Sequence, residues 1–231
     1  MAEPSSYHPS FAIKSESTAQ RRLGHALGAR IDRLADASPM LDEAATAIKA
    51  AIAPVAGDTA PPTVRDALLG SWLGHPLHPL VVALPIGAWT LTSLFDLLGE
   101  ERAADLCLRV GVFGAGSAAV TGLAQWNDVT DRQRPRRIGV MHSSLNTVAT
   151  GLYIGSWVYR ARGWRGAGVA TAAAGLAITS LSGWLGGHLS YTLGVGVEED
   201  AFARQVAGQQ VPVDEDVPAA QPDHDLNPLA R

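Results

Sequence analysis

The sequence predicts an all-α membrane protein, a four-helix transmembrane bundle preceded by amphipathic helices and followed by a disordered acidic tail. Three observations carry that expectation. From Pro79 to Leu98 the chain is uncharged apart from Asp96, and about 20 residues of helix reach roughly 30 Å, the thickness of a bilayer core. Three more apolar stretches follow, at about 105–126, 138–159 and 166–189. Charge is also segregated: eight acids and seven bases lie up to residue 70, eight acids and two bases from 197 onward, and only six acids and nine bases in the 126 residues between. Soluble cores do not sort charge in this way.

Taken in order, residues 1–18 are polar and loose. Between Ala19 and Ala37, Leu23, Leu27, Ile31 and Leu34 recur at helical spacing among arginines and Asp32, which predicts an amphipathic helix too short to span. Leu41–Val55 repeats the pattern, with Ser38 and Pro39 as start signals. After a turn at Asp58-Thr-Ala-Pro-Pro62, Val64–Leu73 reads as an interfacial helix anchored by Trp72. These elements make residues 1–70 a soluble or interfacial N-terminal region. Residues 71–197 form the membrane domain and 198–231 the acidic tail. His8, His25 and His224 read as solvated.

The first span opens at Gly-His75-Pro-Leu-His78-Pro79, where a first-turn proline sacrifices no hydrogen bond. The second is rich in Gly111, Gly114, Gly116, Ala118, Ala119 and Gly122, which allow close helix approach in lipid and offer a face for oligomerisation. Arg109, one turn inside it, snorkels outward. A loop with four arginines between 132 and 137 precedes the third span, which holds His142, Asn146 and a Gly151/Gly155 pair; Tyr153, Trp157, Tyr159 and Trp164 suit an aromatic belt. The fourth span ends in Gly183-Trp-Leu-Gly-Gly-His188.

Four spans place both termini on one side. Six arginines flank that side against four on the other, which predicts an inner (cytoplasmic) membrane protein with cytoplasmic termini. The N-terminus has no basic start followed by an apolar run, so no cleavable signal is expected. One cysteine, Cys107, excludes an intrachain disulfide, a Cys-x-x-Cys-His haem attachment and a thiolate metal cage. A net charge of −4 without a basic aromatic face argues against nucleic acid.

Alternating helix directions bring His75, His78, His142 and His188 to the side that bears the termini, together with Asp128. Two chemistries take imidazoles from facing helices. Haem b needs one neutral imidazole on each side of the iron and small residues where the macrocycle passes the backbone. The natural axial pair is His142 with His78 or His188, with Asn146 as a supporting or quinone-bonding group and Arg136 or Arg137 facing the propionates. The alternative is a non-haem iron, copper or zinc site built from His75, His78, His142, His188 and Asp128. A third reading is a non-catalytic scaffold subunit whose histidines cap helices and whose termini dock a partner. The expected partners are the bilayer and either a quinone or a redox protein.

The Gly-His-Pro-Leu-His-Pro…Pro-Ile-Gly run from residue 74, His142 after the basic loop, and Gly186-Gly-His-Leu-Ser-Tyr…Gly-Val-Gly-Val resemble the bacterial membrane proteins grouped as domain of unknown function 2231. The resemblance covers roughly residues 70–197. It implies a four-helix membrane domain and no activity; at the level of fold it is similar to the di-haem cytochrome b superfamily.

Overall fold

A computed structural model describes residues 18–57, 59–127, 129 and 132–197. The chain divides after Val195, and of the second unit only Gly196 and Val197 are described. The expected acidic tail, His8, His224, Asp128 and the side chain of His25 lie outside the described residues.

The described residues are helical throughout, without a strand. Three N-terminal helices, α1 (Thr18–Asp36), α2 (Met40–Ala56) and α3 (Pro62–Leu69), lead through a 3-10 turn at Ser71–Leu73 into four long ones: α4 (His78–Leu98), α5 (Glu101–Asn127), α6 (Gln133–Ala161) and α7 (Arg165–Gly187). A single π-helical turn, His188–Thr192, ends the series. The long helices exceed the apolar stretches in both directions because polar first turns also favour helix. Glu101 sits at the positive end of α5. Pro135 lies in the first turn of α6, where its missing N–H costs nothing.

α4 pairs with α5 and α6 with α7, and the two hairpins close through α5 against α6 and α4 against α7. α4 and α6 therefore stand diagonally opposite. Three helices, α4, α5 and Arg165–Thr192, are long and apolar enough to cross a membrane. Their surface matches: Leu80, Leu84, Leu91 and Leu98 of α4 and Leu106 and Phe113 of α5 point outward, while Thr92, Ser156, Thr179 and Ser182 are buried. An apolar exterior around a small and polar interior suits lipid rather than water.

The two hairpins repeat one another. An offset of 64 residues, that between Asp96 and Arg160, also carries His78 onto His142, Trp89 onto Tyr153, Gly111 onto Gly175 and Gly122 onto Gly186. Burial follows the same offset: Pro85, Trp89 and Thr92 match Ala149, Tyr153 and Ser156, and Ala104, Leu108 and Ala118 match Gly168, Ala172 and Ser182. α4 and α6 are the equivalent first helices of the two hairpins, and their residues meet between the halves. Trp89 and Tyr153 stack there, centroids 3.9 Å apart and planes within 10°. Each ring lies against its partner hairpin helix where only glycine fits. A Cβ at Gly111 would fall 2.2 Å from Trp89 Nε1, and one at Gly175 would fall 2.9 Å from Tyr153 Cε2.

Toward the C-terminal ends of α4 and α6 the paired residues carry opposite charge. Arg160 donates to both oxygens of Asp96 (2.8 and 2.5 Å) and to Asp105 (2.9 Å), while Arg165 bridges Asp96 (3.1 Å) and Asp105 (3.1 Å). Asp96 and Arg160 are almost fully buried, at 4% and 3% exposure. One hairpin supplies the acids and the other the bases, so the network ties the halves together at that end.

At the other end α1 and α2 dock on the bundle. Ile31 and Ala35 pack against Ile138, Leu185 and Leu189. Leu41, Ala45 and Ile48 pack against Trp126 and Val140. Ion pairs frame these contacts: Arg134 with Asp36 (2.6 Å) and Arg137 with Asp42 (2.5 Å). Hydrogen bonding from Arg137 holds the Asp42 carboxyl down at about 2, and Arg134 lowers that of Asp36. The N-terminal helices are thus part of the packed unit.

Candidate functional site

The repeat places two imidazoles at matched positions on diagonal helices. His78 occupies the first turn of α4, where Pro79 fixes the start. Its ring lies against the Ala118 backbone, with Nδ1 3.4 Å from Thr121 Oγ1. The Thr121 hydroxyl donates to the Ser117 and Ala118 carbonyls, so it offers His78 a lone pair. With Nδ1 assigned as the donor to this oxygen, Nε2 carries no proton.

His142, two and a half turns into α6, is held in the same way. Its Nδ1 donates to the Ser182 carbonyl at 3.0 Å. Ser182 Oγ, 3.1 Å from Nδ1, gives its own proton to the His142 carbonyl at 3.2 Å. Ala118 and Ser182 are themselves related by the 64-residue offset, so both imidazoles are set against the equivalent backbone position of the neighbouring helix. The His142 Nε2 is thereby left unprotonated, and the same tautomer in His78 would present a second nitrogen able to bind iron or another metal.

Glycine makes this anchoring possible. A Cβ at Gly122 would sit 2.7 Å from His78 Cε1, and one at Gly186 would sit 3.1 Å from His142 Cε1. One turn beyond Thr121 on α5, Gln125 Oε1 is buried with no partner among the described residues. Asn146, one turn along α6, donates Nδ2–H to His142 Nε2 at 3.0 Å.

The other expected residues lie elsewhere. His188 is buried at the bundle end, with Nε2 3.0 Å from Asp32 Oδ1 of α1 and its ring stacked on Trp184 at 5.6 Å. His75 is exposed in the connection before α4. Arg137 uses its guanidinium on Asp42 and on the Ala35 and Asp36 carbonyls, and Arg136 also reaches Asp42 at 3.4 Å. Among the described residues no three His, Cys, Asp or Glu side chains converge on a point that would hold a metal ion.

Sequence reasoning singled out the histidines and Asn146 but missed Thr121, Gln125 and the backbone of Ala118 and Ser182. The 64-residue recurrence of His and Gly was the available signal.

The family described as predicted membrane protein (DUF2231) matches residues 74–199, which is more than half of the chain and contains both hairpins. No curated protein and no solved structure matches.

Proposed function

The chain belongs to the DUF2231 family of predicted membrane proteins, and on that premise we propose that it is a four-span haem b protein of the inner membrane whose His78 and His142 hold one iron from opposite sides for electron transfer. The single observation that carries this reading is the matched placement of the two imidazoles, each set against the equivalent backbone position of the neighbouring helix, Ala118 for His78 and Ser182 for His142. A site built twice at positions related by the repeat suits a ligand that takes two like nitrogens across a centre.

Three further features support it. Haem needs only two imidazoles, whereas a bare ion needs three or four protein ligands, and His188 is committed to Asp32. Gly122 and Gly186 remove side-chain bulk beside the two rings. Gln125 Oε1 is a buried acceptor in want of a donor on the α5 face that bears Thr121 and Gly122. When bound, haem supplies reversible one-electron chemistry. The chain itself fixes the imidazole tautomers and surrounds them with a bundle whose outer face is apolar.

Counting α6 as the fourth span follows from its place between α5 and α7 and from the outward Val148, Ile154 and Val158. Its polar residues, among them His142, Ser143, Ser144 and Asn146, fall in the half that meets the site. Termini on the cytoplasmic side accord with the arginine bias.

The test is the optical spectrum of protein purified in mild detergent. A Soret band that shifts on dithionite reduction and disappears in a His78→Ala/His142→Ala double variant is expected. Colourless protein with stoichiometric iron, copper or zinc would replace haem by a bare ion. Colourless, metal-free protein would leave the scaffold reading.

A further inference from the structure

The repeat makes its own departures from symmetry visible, and one of them falls on the ligating nitrogens. His142 Nε2 accepts a hydrogen bond from Asn146 Nδ2 at 3.0 Å. The position equivalent to Asn146 in the first hairpin is Val82, which has no donor to offer His78. No described residue donates to His78 Nε2, and the contact of its ring with Thr121 runs through Nδ1. Among the described residues, one of these nitrogens thus has a resting partner and the other has none.

That difference matters for a ligand that comes and goes. Releasing His78 from a metal would strand a lone pair in a half-buried place, at the desolvation cost of an unmet acceptor. Releasing His142 costs less, because the Asn146 amide takes up the lone pair one helical turn away. The backbone need not move: His142 stays on Ser182 through Nδ1 throughout.

We propose that the two imidazoles are unequal, with His78 the permanent ligand of the iron and His142 an exchangeable one whose freed Nε2 is received by Asn146, opening that side of the iron to a small neutral ligand of the diatomic-gas class. The proposal rests on the haem reading. In the exchange the Nε2–iron bond breaks, the Nε2 lone pair accepts the Asn146 N–H, and the incoming ligand's lone pair forms the new bond. No proton or electron is transferred.

The probe is carbon monoxide added to the dithionite-reduced, haem-loaded protein in detergent. Wild type is expected to give the spectrum of a carbon monoxide adduct. Asn146→Leu, which withdraws the resting partner while leaving His142 in place, should slow adduct formation by about tenfold. A second pair of variants keeps the test decisive should Asn146→Leu misfold: His142→Ala should retain haem in a five-coordinate, high-spin form, and His78→Ala should lose it. A haem-loaded protein that keeps its bis-imidazole spectrum unchanged under carbon monoxide would overturn the proposal, as would equal haem retention by the two histidine variants or an unchanged rate in Asn146→Leu. Failure to bind haem at all would instead sink the reading on which it rests.

Discussion

Replacing Arg160 by Met tests whether the charge network holds the two hairpins together. Arg160 is 3% exposed and makes two hydrogen bonds to Asp96, which is 4% exposed, one to Asp105 and one to Ser156. Removing one partner of a buried ion pair costs about 3–5 kcal/mol, chiefly because the remaining charge is stranded. Arg165 still reaches Asp96 at 3.1 Å but is more exposed, which argues for the lower end, about 3 kcal/mol. For a chain of this size that corresponds to a fall of about 6–12 °C in Tm. Thermal unfolding followed by circular dichroism at fixed detergent concentration measures it. The double variant Asp96→Leu/Arg160→Met removes both charges and leaves Arg165 paired with Asp105, so it should lose less than Arg160→Met alone. A single variant within about 1 kcal/mol of wild type, or a double variant that loses as much as Arg160→Met or more, would refute the reasoning.

Other predictions follow from the glycines and from the N-terminal dock. Gly111→Ala sets a Cβ 2.2 Å from Trp89 Nε1, and the stack on Tyr153 prevents the ring from retreating. Overpacking of about 1–3 kcal/mol should outweigh the gain in helix propensity. Gly116→Ala, with nothing within 4 Å, should leave Tm unchanged or raise it. Gly122→Ala should push His78 off the Ala118 backbone and abolish haem binding, while circular dichroism reports unchanged helix content. The Asp42 carboxyl sits at about 2, below its ordinary 3.8, because Arg137 bonds its charged form. Docking of α1 and α2 therefore draws on this contact fully above about pH 4 and loses it as pH falls toward 2. Hydrogen exchange of α1 and α2 amides should quicken over that window, and Asp42→Asn should remove the dependence on pH.

Much of this architecture is legible in the residues. The apolar run after Pro79 fixes α4 almost to the residue, because a first-turn proline and Gly99, at φ 76°, punctuate it at both ends. The amphipathic spacing of Leu27, Ile31 and Leu34 gives α1, and Ser38-Pro39 gives the break before α2. What those helices pack against is not legible. Their ion pairs join residues about a hundred positions apart, such as Asp42 and Arg137, and no local pattern encodes such a contact. The same holds for His188. Its position after α7 suggests the histidine layer, yet a π-helical turn and a partner from α1 draw its Nε2 to Asp32. The repeat is hard to read because identity survives at only a few positions, such as His78 with His142 and Gly122 with Gly186, and elsewhere the types differ. Trp89 answers to Tyr153 and Asp96 to Arg160, pairs that look unrelated until the structure stacks one and bridges the other.

The account centres on one ligand held between His78 and His142, and a stoichiometric haem titration tests it most directly. Haem is added in steps to the purified chain in mild detergent and the Soret absorbance is followed. The account predicts saturation at one haem per chain with a low-spin, bis-imidazole spectrum, abolished when both histidines are changed to Ala. Binding that never saturates, or that survives the double substitution unchanged, would contradict it.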